Sequence, residues 1–252
     1  MNNKVTIEIC CGSVEDAIIA EKAGADRIEL NSSISLGGIT PSIGSLIETK
    51  RNLNIPVMVM VRPRESGFFY DKYEIKSMEE DIKLAIKYGA DGIVFGVLNE
   101  DGTINKEALK RFVDIIGDKE KVFHRAFDIV KNPIESLDTL IELGVDRVLT
   151  KGQKNSIEDG YKTIKEIIKY SKGKIEILTG GVRPHNVEWM IRELNFRNLH
   201  VASFIQKEDL SMSSNPDVYF GSSKDKSECS YSVANYEYLK EMCRKIRNLQ
   251  EE

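Results

Sequence analysis

A chain of 252 residues with 41% hydrophobic and 30% charged residues has the make-up of a soluble globular protein able to bury a sizeable core. Its net charge of −4, from 36 basic and 40 acidic residues mixed along the chain, argues against a nucleic-acid partner or an anionic membrane surface. With no signal-peptide pattern and no apolar stretch of membrane-spanning length, a cytoplasmic location is expected.

In chain order, eight apolar strand-like runs are predicted, at 5–11, 27–31, 56–62, 92–97, 121–127, 147–151, 174–179 and 199–203. Helix-like segments at 14–23, 41–53, 77–88, 106–116, 133–143, 157–170 and 184–194 separate them, and a last helix at 234–249 follows. A repeated phrase marks several helix-to-strand passages: Gly24-Ala25-Asp26, Gly89-Ala90-Asp91 and Gly144-Val145-Asp146. Glycine supplies the left-handed cap that stops a helix before the chain enters a strand. Thr40-Pro41, Asn132-Pro133 and Arg183-Pro184 read as helix starts. Strict alternation of strand and helix predicts a single-domain (β/α)8 TIM barrel. A doubly wound open sheet is disfavoured because no strand leads into G-x-G-x-x-G. The long, Ser-, Asp- and Lys-rich stretch 204–231 after the eighth strand is expected to act as a lid over the barrel mouth.

Alternation along each strand sends Thr6, Glu8 and Cys10 into the barrel, with Arg27, Glu29 and Asn31 from the second strand. Met58, Met60 and Arg62 follow from the third, His124, Ala126 and Asp128 from the fifth, Arg147 and Lys151 from the sixth, and His200 from the eighth. Barrel interiors are normally filled with branched apolar side chains, so this polar set is out of character. A buried ion-pair network accounts for Arg27 and Arg147, which lie at strand starts. For Glu8, Glu29, Arg62, His124 and Asp128 the reading is an active site. Glu8 and Glu29 are its acid–base pair, His124 a proton shuttle or electrophile, Arg62 an anion anchor, and Asp128 the partner that orients His124 or an arginine. The stretch Val122 to Asp128, an apolar strand ending in imidazole, guanidinium and carboxylate, is its centre.

Anion binding is further expected at Arg62 and Arg64, beside the aromatics Phe68, Phe69 and Tyr70, and at Gly180-Gly181, which opens a helix after the seventh strand. Lys151 reads either as a salt-bridge partner or as a Schiff-base lysine. The four cysteines, Cys10, Cys11, Cys229 and Cys243, have no C-x-x-C spacing and read as reduced thiols. Adjacent side chains on a strand face opposite ways, so Cys10 alone faces inward, where a thiolate with Met58 or Met60 suits Cu(I).

The segments Glu8-Ile9-Cys10-Cys11, Gly24 to Leu30, Gly37 to Ser42, Arg62-Pro63-Arg64, Phe123 to Asp128, Leu149 to Gln153 and Leu210 to Ser214 together resemble the CutC family, named for copper homeostasis. The resemblance runs through almost the whole chain. It implies a cytosolic, commonly oligomeric TIM barrel with copper binding or copper tolerance, and a copper-binding cysteine at Cys10. Some members carry a second cysteine where this chain has Asn31, a hard ligand poorly matched to Cu(I). Two functions are therefore expected from different classes. One is a copper-handling protein using Cys10. The other is an enzyme acting on a small anionic, phosphorylated or sugar-like substrate. Neither involves nucleic acid or membrane.

Overall fold

Eight parallel strands close into a barrel in chain order in the computed structural model, which describes residues 4–251 except 216, 219 and 221–228. The strands are β1 (Thr6–Cys11), β2 (Arg27–Leu30), β3 (Val57–Met60), β4 (Gly92–Phe95), β5 (Glu120–Phe123), β6 (Arg147–Thr150), β7 (Glu176–Thr179) and β8 (Asn198–Val201). Because β1 pairs with both β2 and β8, the sheet has no free edge. Outward residues such as Ile7, Ile9, Cys11, Ile28, Leu30, Val59 and Phe95 pack into one continuous core beneath the helices. Inside the barrel, Met58, Met60, Val94 and Val122 form a small separate apolar plug. The helix layer is α1 (Val14–Ala23), α2 (Ile43–Asn52), α3 (Lys72–Lys87), α4 (Lys106–Ile116), α5 (Pro133–Glu142), α6 (Ile157–Ser171), α7 (Val187–Arg192) and α8 (Tyr236–Glu251). Among the described residues no helix is long and apolar enough to cross a membrane.

The predicted alternation holds, and Gly24 (φ 102°), Gly89 (φ 94°) and Gly144 (φ 74°) adopt the left-handed geometry assigned to them. Asn132 caps α5 as expected, accepting from the N–H groups of Ile134 and Glu135 at 3.1 and 3.3 Å. Asn132→Ala should therefore cost about 1 kcal/mol, read as a lower urea midpoint with unchanged slope.

Several boundaries differ from the sequence reading. Ser42 rather than Thr40 caps α2, while the Thr40 hydroxyl accepts from the backbone N–H of Arg62 at 2.9 Å. The third helix begins before Ser77 because Asp71 and Glu74 form a reciprocal capping box. The seventh begins at Val187 rather than Pro184, since Asn186 accepts from Arg183 N–H at 2.8 Å and ties 183–186 into a turn. The fifth strand stops at Phe123. His124 then caps a 3-10 turn, Arg125–Ile129, so Ala126 and Asp128 leave the strand alternation.

The stretch expected as a lid contains an antiparallel ribbon, β9 (Phe204–Glu208) with β10 (Ser230–Ala234), and a 3-10 turn at Leu210–Ser214. This ribbon lies against α1: Asp16 accepts from Ala234 N–H at 2.7 Å, and Lys207 pairs with Glu15 at 2.7 Å. It walls a side cleft with Ser33 and Ser35, and none of its residues lines the central cavity. The lid assignment is thus corrected for the described residues; positions 216, 219 and 221–228 lie outside them.

Candidate functional site

At the C-terminal end of the barrel lies a cavity of about 300 Å³, walled by residues from β1, β2, β3, β6, β8 and the loops that follow β2, β3 and β5. It is built on a layer of charge. The β1 register sets Glu8 between Arg27 and His200. Glu8 accepts from Arg27 Nε at 2.7 Å and from His200 Nδ1 at 2.8 Å, with Arg147 Nη1 at 3.7 Å. Arg27 also pairs with Glu176 at 2.6 Å and Arg147 with Glu120 at 2.7 Å, and the Arg147–Glu176 contact closes the set. Burial pushes the Glu8 carboxyl up, but the His200 hydrogen bond and the two guanidinium groups outweigh it and hold Glu8 far below the ordinary carboxylate range. Glu8, expected as an acid–base residue, is thus the hub of the ion-pair network and does not line the cavity.

Above it, His200 links the network to the cavity. Its Nδ1 faces Glu8, and its Nε2 lies 4.0 Å from Glu29 Oε2. Burial pulls the His200 ring down, yet Glu29 and Glu8 together raise it. Glu29 moves up, first through burial and also through the nearby Glu8 charge, against His200 and an Asn31 amide that donates at 2.9 Å. Its second oxygen, Oε1, has no hydrogen-bond partner among the described residues. Cys10 stands beside Glu29 in the β1–β2 register and contacts the Asn31 amide at 3.6 Å. Burial and the Glu29 charge keep the Cys10 thiol protonated well above its usual range. Cys10 Sγ, a Glu29 carboxylate oxygen and a His200 nitrogen lie within 4.8 Å of one another. A thiol, a carboxylate and an imidazole at such spacing can hold a metal ion. The Glu8–His200 contact would orient the ring and leave Nε2 for the metal.

The opposite wall is cationic and aromatic. Arg62 is only 6% exposed and, among the described residues, has no carboxylate within ion-pair distance. Nη1 donates to the carbonyls of Leu36 and Gly38 at 3.0 and 2.8 Å and Nη2 to that of Ser66 at 2.8 Å, while Nε has no partner among the described residues. Its guanidinium stands 5.3 Å from the Phe68 ring, which in turn lies 4.8 Å from His124. Gly96 leaves room for the His124 ring, which a Cβ there would strike. Nδ1 of His124 accepts from Ala126 N–H at 3.1 Å, so a neutral ring carries its proton on Nε2, which has no partner among the described residues. Burial, then the Arg62 charge, lowers His124 to about 3, so the ring is a neutral donor at physiological pH.

Of the expected site residues, the structure brings Cys10, Glu29, Arg62 and His124 to one cavity. The remaining ones stand elsewhere. Asp128 accepts from Thr150 Oγ1 at 2.6 Å and Lys151 N–H at 2.9 Å, fastening the loop after β6; of its two expected partners it takes the arginine, Arg125 at 2.7 Å, and not His124. Arg64 turns outward onto Glu74 at 2.5 Å and the Phe69 carbonyl at 2.8 Å, so it is not a wall of the cavity. Gly180 and Gly181 neither line the cavity nor open a helix, because α7 starts only at Val187. His200 completes the site and was absent from the expected set, although strand alternation already pointed it inward.

The match to known proteins covers this whole frame. The CutC family model aligns with residues 5–205. This chain belongs to the CutC family. It is 47% identical to a family protein CutC of Treponema denticola over 97% of this chain and 99% of that one. A human relative named copper homeostasis protein cutC homolog is 42% identical, over 92% of this chain and 86% of its own length. Among solved structures, CutC from Streptococcus agalactiae superposes with a TM-score of 0.74 at 33% identity, over 78% of this chain and 97% of that one. Phosphoribosylanthranilate isomerase from Thermotoga maritima (TM-score 0.57, 12% identity) shares the fold alone. Membership in the CutC family thus accompanies a TIM barrel whose mouth gathers Cys10, Glu29, His200, Arg62 and His124.

Proposed function

We propose that this CutC protein acts in cytoplasmic copper homeostasis by binding a copper ion at Cys10, with His200 and Glu29 beside it. The observation that supports this is the approach of their three ligand atoms to within 4.8 Å of one another. A thiolate and an imidazole suit Cu(I), and the carboxylate is the harder third donor. Asn31 supplies an amide where a second thiol would bind more tightly, so the softer donors number two. In this reading Cys10 gives up its proton on binding, Glu8 orients His200, and uptake strengthens as pH rises. The test is a Cu(I) titration against a chromophoric chelator. Stoichiometric uptake is expected for the wild type and its loss in Cys10→Ser; a Cys10→Ser chain that takes up copper like the wild type sinks the proposal.

A second reading rests on Arg62. A buried cation without a counter-ion among the described residues, beside the unpartnered Nε2–H of His124, favours a small anion as occupant and an enzyme of the barrel mouth. Arg62 would anchor the anion and His124 would polarise a carbonyl. Glu29, whose carboxyl burial raises above its ordinary range, would exchange a proton with the bound molecule.

A further inference from the structure

We propose that the rim beside the cavity is a phosphoryl-binding subsite formed by Arg125, Lys151 and Arg183, which makes the small anion a phosphate ester. The inference deepens the anion reading and rests on it. The three cations follow consecutive strands, β5, β6 and β7, and Arg125 itself lines the cavity. Lys151 lies along the Gly180-Gly181 turn, its Cε 3.6 Å from where a Cβ would stand on either glycine. Its place is fixed by Asp128, which accepts from Lys151 N–H at 2.9 Å and from Arg125 Nε at 2.7 Å. That carboxylate neutralises one cation of the three. Among the described residues neither Lys151 nor Arg183 has a carboxylate within ion-pair distance, and the salt bridge expected for Lys151 is not formed. Lys151 Nζ reaches only the Asn155 carbonyl at 3.5 Å, and Arg183 only the carbonyl of Val182 at 2.8 Å. Half-burial, then the Arg125 and Arg183 charges, lower the Lys151 ammonium against the opposing pull of the Asp128 and Glu158 carboxylates.

The backbone adds donors. Gly180 N–H is used on the Thr150 carbonyl at 3.0 Å, whereas the N–H groups of Gly181 and Val182 have no partner among the described residues. Gly181 holds φ 82°, the left-handed geometry in which successive N–H groups form an anion cradle. Two uncompensated cations beside two free N–H groups match a phosphoryl dianion better than a single carboxylate. At the inner end, Arg62 Nε and His124 Nε2 belong to side chains more than nine-tenths buried and lack partners among the described residues. They would take the carbonyl or carboxylate oxygen of the same molecule.

The test uses calorimetric titration of the metal-free chain with two probes, inorganic phosphate for the rim and glycolate for the inner end. Saturable one-site phosphate binding is expected, weakened about tenfold or more in the Lys151→Gln/Arg183→Gln double variant. Glycolate binding should be unchanged in that variant and lost in His124→Asn. Absence of saturable phosphate binding, or equal binding by wild type and double variant, overturns the subsite. Failure of glycolate to bind the wild type overturns the anion reading separately. Melting curves confirm that each variant is folded.

Discussion

Replacing Glu8 by alanine is expected to lower the unfolding free energy by about 3–5 kcal/mol, because it strands two buried guanidinium groups. Arg27 is 7% exposed and Arg147 3% exposed, and both point at the same Glu8 oxygen. Their remaining partners, Glu176 and Glu120, are far less buried, with side-chain exposures of 29% and 46%, and cannot replace the innermost charge. Glu8→Gln keeps the shape and removes only the charge, so comparing both variants by urea unfolding separates lost packing from lost neutralisation. A loss below about 1 kcal/mol in both would mean that the network adds little to stability. The pH sign follows from the depressed Glu8 carboxyl. Its contribution is fully present above the ordinary value of 4.5 and is lost as pH falls through the lower, folded value.

His124 gives the second large effect, at milder pH. Its folded value of about 3 lies below the 6.5 of an exposed ring, so below 6.5 the unfolded chain takes up a proton that the fold refuses. Stability should fall by about 1.4 kcal/mol per pH unit across that window. His200 runs the other way. Its raised value makes its contribution complete below the ordinary 6.5, to be lost as pH rises through the folded value. The two histidines therefore act in separate ranges. In His124→Asn the amide oxygen can still accept from Ala126 N–H, so the turn is kept while the titrating ring is gone. Unfolding free energies measured at several pH values in that window should show a slope smaller by one proton. An unchanged slope would exclude the buried, neutral ring.

The barrel was legible because its signals are local. Gly24, Gly89 and Gly144 each end a helix two positions before an Asp and three before a strand, and alternation needs no knowledge of the partner strand. Strand parity also told which side chains face inward, but not at what depth. Glu8 and Cys10 share a face of β1, yet the first lies in the ion-pair layer and the second in the cavity wall. Depth depends on the stagger between strands, and the partner that decides the role of Glu8, His200, is 192 residues away. Asp128 was misplaced for a different reason: the chain leaves the strand at Phe123, and parity carries no information through a 3-10 turn. Arg62 and Arg64 look alike in sequence. Only the fold shows that Glu74, from the capping box of α3, claims Arg64 and leaves Arg62 to the cavity.

The ring of charge at the base of the barrel ties its assembly to its closure. Glu8 and Arg27 come from the first quarter of the sheet, Glu120, Arg147 and Glu176 from its second half. A fragment ending after β4 would hold Glu8 and Arg27 without the other three, and the complementary fragment would bury Arg147 without Glu8. Each half would keep some of its pairs, Glu8 with Arg27 in one and Arg147 with Glu120 and Glu176 in the other. The contacts added on closure are those of Glu8 with Arg147 and His200 and of Arg27 with Glu176.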